Sequence, residues 1–182
     1  ERYEITDKQL ATHNERKSGI SIEKIARILE GGKNIALVSD AGTPTISDPG
    51  VLLVNEARHR GIEIIAIPGA NAAITALSMS GFSASEFLFL GFLPHKKGRE
   101  TLFKEILASK RTVVFYESPH RIMKALTSLK KFLSENRKIF IARELTKIHE
   151  EGILGTADEL ILYFEKNPEK IRGEFVIIVD RA

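Results

Sequence analysis

Residues 39–50 read SDAGTPTISDPG, and this stretch sets the fold class. It follows Ile35 to Val38, a short apolar run of strand type, and it precedes a helical pattern running to Gly61. A strand that ends in a loop, which then opens a helix, is the building unit of an α/β sheet. Asp48 and Pro49 read as an N-cap and a proline at the first helical position. Gly42 and Gly50 permit close backbone approach, while Pro44 and Pro49 stiffen the loop. A loop this long, and this rich in hydroxyls and carboxylates, exceeds what a short strand-to-helix turn requires. It reads as a ligand loop. A helix N-terminus with glycines is a natural phosphate seat, yet the loop has no lysine, and Asp40 and Asp48 would repel an anion. Carboxylates suit ribose hydroxyls, amines and cations, so the expected ligand is an uncharged or cationic nucleoside compound.

Upstream, Ser21 reads as an N-cap, with Ile22, Ile25, Ala26 and Leu29 at helical spacing until Gly31 and Gly32. Downstream, Glu63 to Ile67 reads as a buried strand, and a small-residue helix from Ala70 stops at Gly81. Strands alternating with helices argue for a parallel sheet covered on both faces. The pattern then starts afresh. Phe87 to Leu90, Thr112 to Tyr116, Ile139 to Ala142, Gly152 to Leu154 and Phe175 to Val179 read as strands. Helical stripes begin with Leu102 and Phe103, and again after Ser118 and Pro119. Thr156 and Glu159 form a capping box that opens a last helix. The expected division is residues 1–82 for an N-terminal α/β domain, truncated at its start, and 83–182 for a complete C-terminal one.

The 182 residues are 43% hydrophobic, enough for one sizeable core or two small ones. With 27 Lys and Arg against 24 Asp and Glu, the net charge of +3 leaves a nucleic-acid partner to a local patch. There is no cysteine, which removes disulfides and thiolate metal sites and fits a reducing, cytoplasmic compartment. The five histidines are scattered, so no metal site is expected. Apolar runs are short and broken by charge, so no membrane span is expected. The chain opens on Glu1 without an initiator Met, and ERYEITDKQL does not read as a first strand; an upstream piece is expected.

Ligands of open α/β sheets sit beyond the carboxyl ends of the strands. Four loops leave strand ends with unusual side chains: Ser39 to Gly50, Pro68 to Ala73, Tyr116 to Arg121 and Arg143 to Lys147. An aspartyl nucleophile of the haloacid-dehalogenase kind would need a second Asp two residues after Asp40, where Gly42 stands. Ser118 and Pro119 are explained by capping alone. Glu117, His120 and Arg121 are open to either a site role or an exposed first turn, and Arg143 with Glu144 could be a surface ion pair. His95, Lys96, Lys97 and Arg99 form the one dense basic patch, which on charge alone reads as a solvated loop.

Taken in order, SDAGTPTISDPG, PGANAA (68–73), GFLPHKKGR (91–99), FYESPHR (115–121), ARELTK (142–147) and GEFVIIV (173–179) closely resemble the ribosomal RNA small subunit methyltransferase I family of the tetrapyrrole methylase superfamily. HNE at His13 to Glu15 also fits. The resemblance implies two α/β domains with a cofactor cleft between them, and a homodimer. It implies S-adenosylmethionine as methyl donor. The implied acceptor is the 2′-hydroxyl of a cytidine in the decoding region of 16S RNA, met as RNA or as the 30S subunit. Carried over by position, Asp40, Ala41, Gly42, Thr43 and Ser47 line the methionine and ribose side. Asn71 and Ala72 make the next wall, Tyr116 and Glu117 a third, and Leu145 with Phe175 the adenine side. Family members begin with a further strand and a glycine-containing loop, missing here. The hydroxyl is a poor nucleophile, so a base is expected in Glu117 or Glu144. Arg143, Arg121 and the loop with His95, Lys96, Lys97 and Arg99 are expected to grip RNA phosphates. The rivals are a tetrapyrrole-type small-molecule methylase and a non-catalytic RNA-binding module.

Overall fold

A computed structural model describes residues 9–12 and 19–182, the side chains of 19–21 excepted. The HNE stretch at 13–15 lies outside the described residues. The chain separates into two compact units, Glu1–Gly69 and Ala70–Ala182.

In the first unit, helix α1 (Gly19–Glu30) begins two residues before Ser21, which therefore lies inside its first turn. Helix α2 (Val51–His59) begins after Gly50, not at Asp48. Gly50 sits at φ +130°, a backbone angle that no helical residue adopts, so the helix cannot extend back through Pro49. A Cβ there would also lie 2.7 Å from the Leu37 side chain. The two helices are tied by Arg60, whose guanidinium meets Glu56 at 2.6 Å, Glu30 at 3.1 Å and also Glu23.

The two strands expected in this unit are absent as strands. Residues 35–38 and 63–67 carry no ladder, and Val38, Ile65 and Ile67 are exposed by 80%, 73% and 79%. A strand exists only as a hydrogen-bonded relation between segments, and neither run pairs with another described segment. Apolar composition alone therefore did not make a sheet here.

The second unit is built on one five-stranded sheet. Helix α3 (Ala72–Ser80) comes first, capped by Asn71 and closed by Gly81 in the left-handed conformation. Strand β1 (Phe87–Phe92), helix α4 (Arg99–Ala108), strand β2 (Thr112–Glu117) and helix α5 (Ile122–Phe132) follow. Then come β3 (Ile139–Arg143), β4 (Glu151–Gly155), α6 (Ala157–Lys166) and β5 (Phe175–Val179). The strand order is β1-β2-β5-β3-β4. Only β1 and β2 pair in parallel; β5 runs antiparallel between β2 and β3, and β4 antiparallel to β3. This corrects the expected parallel sheet. Alternation of strands and helices predicts crossovers, but the last strand enters the middle of the sheet in the opposite direction.

Period-two alternation sorts the side chains. Val113, Phe115, Ile139, Ile141, Phe175, Ile177 and Val179 face α4, α5 and α6, where Ile106, Leu126, Leu129 and Phe164 complete a core. Val114, Phe140, Ala142, Val176 and Ile178 face the opposite way, against Ala73, Ala76 and Leu77 of α3. Each fully buried Leu, Ile or Phe contributes roughly 1.5–3 kcal/mol over an exposed one, and α6 reaches its place because Thr156 and Glu159 do form the capping box.

Candidate functional site

Residues Glu117 of β2, Phe175 of β5, Arg143 of β3 and Glu151 of β4 stand side by side in register. Phe92 of β1 pairs with Tyr116. The carboxyl ends of β1, β2 and β3 therefore share one edge of the sheet. The start of α3 reaches this edge as well, because the Ala73 amide donates to the Tyr116 hydroxyl at 3.2 Å. The sequence candidates of this unit thus converge.

The alternation then splits them between two faces. Tyr116 points toward α3, with the rings of Phe89 and Phe92 at 5.2 and 5.3 Å. Leu145 packs on the same side. Asn71 caps α3, its Oδ1 accepting from Ala73 at 3.0 Å and Ile74 at 3.2 Å, and Ala72 is exposed at the first turn. Glu117, Phe175 and Arg143 lie on the opposite face. Phe175 is 2% exposed and packs edge-on to Phe164 of α6 at 5.9 Å. Its side chain lies on the face of the sheet away from Leu145.

Glu117 is a buried carboxylate with both oxygens engaged. Arg99 Nη2 lies 2.9 Å from Oε2 and Arg121 Nε 2.7 Å from Oε1, while the Ser118 amide donates to Oε1 at 2.8 Å. A base must present a free oxygen to an acceptor proton. Glu117 is 1% exposed with an arginine on each oxygen, and it reads as an anchor. Arg99 is likewise buried, with its Nη1 donating to the Pro94 carbonyl at 3.1 Å and its guanidinium 5.3 Å from the Phe103 ring. Arg121 donates to the Leu93 carbonyl at 2.9 Å. These arginines turn inward because a buried carboxylate needs compensating charge. His95, Lys96 and Lys97 remain exposed, and neither lysine has an ion-pair partner among the described residues.

Arg143 is also inward, donating to the His149 carbonyl at 3.2 Å and meeting Glu151 at 3.4 Å. Glu151 accepts from Lys170 at 2.6 Å and from the Tyr163 hydroxyl. Burial opposes ionisation of Glu151, but Lys170 and Tyr163 together outweigh it and hold its pKa below the ordinary value.

Glu144 differs. It adopts φ +51° and leaves the strand end half-buried in a loop whose Thr146 is also at positive φ. Its Oε1 accepts from Lys147 at 2.8 Å and from the Glu174 amide at 2.9 Å, and these bonds hold its pKa below the usual carboxylate value. The carboxylate rests on Gly173, where a Cβ would fall 2.4 Å from Glu144 Cδ. Sequence reasoning missed Lys147, Gly173 and Glu174 as partners. The visible signal was a glycine two residues before the closing strand.

In the first unit, the loop 39–50 departs from ordinary turn geometry at Gly42, Thr45, Ser47 and Gly50, all at positive φ. A β-branched residue such as Thr45 adopts that region at a real cost. The Ser39 hydroxyl donates to the carbonyls of Ala41 at 3.3 Å and Gly42 at 3.1 Å, which holds the turn shut. Asp40, Ala41 and Gly42 are exposed, Thr43 half-buried and Ser47 exposed. An exposed carboxylate beside small residues fits an ammonium or a ribose hydroxyl, and no lysine competes for it. Among the described residues, no group of three acidic, histidine or cysteine side chains is placed to hold a metal ion. No helix among them is long and apolar enough to cross a membrane.

A family model for tetrapyrrole (corrin/porphyrin) methylases matches residues 3–161. The ribosomal RNA small subunit methyltransferase I of Synechocystis sp. is 44% identical over 181 residues, 99% of this chain and 64% of its own length. The protein of the same name from Thermotoga maritima is 43% identical over 94% of this chain and 76% of its own length. That of Escherichia coli O157:H7 is 44% identical, with 59% of its length covered, so the chain spans about three fifths of most of these relatives. Among solved structures, the methyltransferase CobJ superposes with a TM-score of 0.65 at 20% identity, over 88% of this chain and 70% of its own. A uroporphyrin-III C-methyl transferase from Thermus thermophilus, complexed with S-adenyl homocysteine, gives 0.58 at 13%, over 87% and 72%. At such identities the likeness is one of fold.

Proposed function

Because the chain belongs to the tetrapyrrole (corrin/porphyrin) methylase family, we propose that it carries out S-adenosylmethionine-dependent 2′-O-methylation of a cytidine in the decoding region of 16S ribosomal RNA. The observation that carries the RNA reading is the exposed Lys96–Lys97 pair at the strand-end edge, without an ion-pair partner among the described residues, seen together with relatives named as ribosomal RNA methyltransferases. Phosphate contacts need accessible cations of this kind.

The cofactor, when bound, supplies a methyl group activated on a sulfonium. The exposed Asp40 with Ala41, Gly42, Thr43 and Ser47 would hold its charged and ribose parts. Asn71, Ala72, Tyr116 and Leu145 would hold the remainder, the last two through apolar surface. Glu117 and Phe175 support these residues from the far face of the sheet. For the acceptor, Glu144 is the better candidate of the two carboxylates. It is ionised at neutral pH and half-exposed, and it is fixed by Lys147 and Glu174. Its role is to accept a hydrogen bond from the hydroxyl and align it. Arg143 holds the loop that carries Glu144. A homodimer, a cytoplasmic setting and the domain division at residues 82 and 83 belong to the same proposal.

The test is a tritiated-methyl transfer assay on the intact protein with naked 16S RNA, small subunits and a tetrapyrrole as acceptors. Labelled RNA supports the reading. Label on the tetrapyrrole alone, or RNA binding with no transfer to any acceptor, overturns it.

A further inference from the structure

We propose that Glu117 is the positioning residue of the basic loop. It holds residues 93–99, and with them Lys96 and Lys97, in the conformation that meets RNA phosphates. This rests on the reading of that loop as an RNA contact.

The carboxylate sits at the end of β2, at the buried strand edge, and so is fixed by the sheet. Both guanidiniums that meet it donate a further N–H to the loop. Arg121 reaches the Leu93 carbonyl at 2.9 Å, and Arg99 reaches that of Pro94 at 3.1 Å. Arg99 is itself the residue where the loop becomes α4. One carboxylate therefore fixes the start of the loop through two carbonyls and its end through the Arg99 side chain. Between these points the chain is exposed from Pro94 to Gly98, with a turn closed by the Arg99 amide donating to the Lys96 carbonyl at 3.3 Å.

Stability alone is a weak reason for this arrangement. Burying Glu117 and Arg99, with Arg121 half-buried beside them, is offset only partly by their attraction, and apolar residues often serve better. The cluster is also imperfect, since Arg99 Nε is buried without an acceptor. What the cluster achieves is geometry: it orders two lysines before they bind, which removes an ordering cost from the encounter.

The experiment compares Glu117→Gln with Lys96→Gln/Lys97→Gln, singly and combined, in the intact protein with a 16S RNA transcript. Expected for Glu117→Gln is a KM for RNA raised by about tenfold with kcat changed far less, because the residue acts through phosphate contacts. Hydrogen exchange should quicken over residues 93–99. In the double-lysine background, Glu117→Gln should add little further loss, since the cations it positions are gone. A collapse of kcat at unchanged KM, or a fully additive loss in the lysine background, overturns the proposal. An unchanged RNA affinity and salt dependence in the lysine variant alone overturns the underlying reading of the loop. If Glu117→Gln does not fold, Arg121→Lys serves instead. It keeps the charge but cannot span Glu117 and Leu93, so the same rise in KM is expected, and an unchanged KM overturns the proposal.

Discussion

Gly173 and Glu144 show how closely two residues 29 positions apart depend on one another. Gly173 sits at φ +86°, and a methyl group there would enter the Glu144 carboxylate. Gly173→Ala is expected to destabilise the protein by about 1–3 kcal/mol, the usual range for strain at such a backbone angle. A urea titration measures it, and adding Glu144→Ala should recover the steric part of the loss. Glu144 also sets a pH dependence. Its pKa is lowered in the folded state, first by Lys147 and then by the Glu174 amide. The unfolded carboxylate binds protons at higher pH, so the stabilisation is present above the unfolded pKa and is lost as pH falls toward the folded one. Denaturation profiles should therefore show a smaller acid-range decline for Glu144→Gln than for the parent. An equal decline would remove Glu144 from the account.

Helix α6 gives the clearest element-scale test. Thr156 Oγ1 accepts from the Glu159 amide at 3.3 Å, and Glu159 returns a carboxylate to the Thr156 amide at 2.7 Å. The helix buries Leu160 and Phe164 against the sheet, so its first turn is coupled to the core. Thr156→Ala is expected to cost about 0.5–2 kcal/mol, read as a lower denaturation midpoint at unchanged slope. The same capping pattern was plain in sequence because the cap is local, three residues from end to end. The start of α2 was not, because Gly50 at positive φ overrides the Asp48–Pro49 signal, and nothing in the residue types states that angle.

At the scale of the molecule, the second unit has the buried sheet and the first has exposed apolar runs. Native-state hydrogen exchange is therefore expected to be slowest for β5, whose five residues are all buried between β2 and β3, and much faster for residues 63–69. If the intact protein grips RNA through the 93–99 loop, the Lys96→Gln/Lys97→Gln variant should lower the salt slope of RNA binding by about two. The amino-acid sequence alone determined the order of motifs, the strand bounds of β5, the capping box and the residues that gather at the strand ends. All of these depend on near neighbours and on side-chain type. Only the tertiary structure decided strand direction, which of two faces each strand-end residue takes, and that Glu117, Arg99 and Arg121 turn inward together. Those outcomes rest on hydrogen bonds and charge compensation between segments far apart in the chain. Alternation tells which residues share a face, but packing determines which face the helices cover.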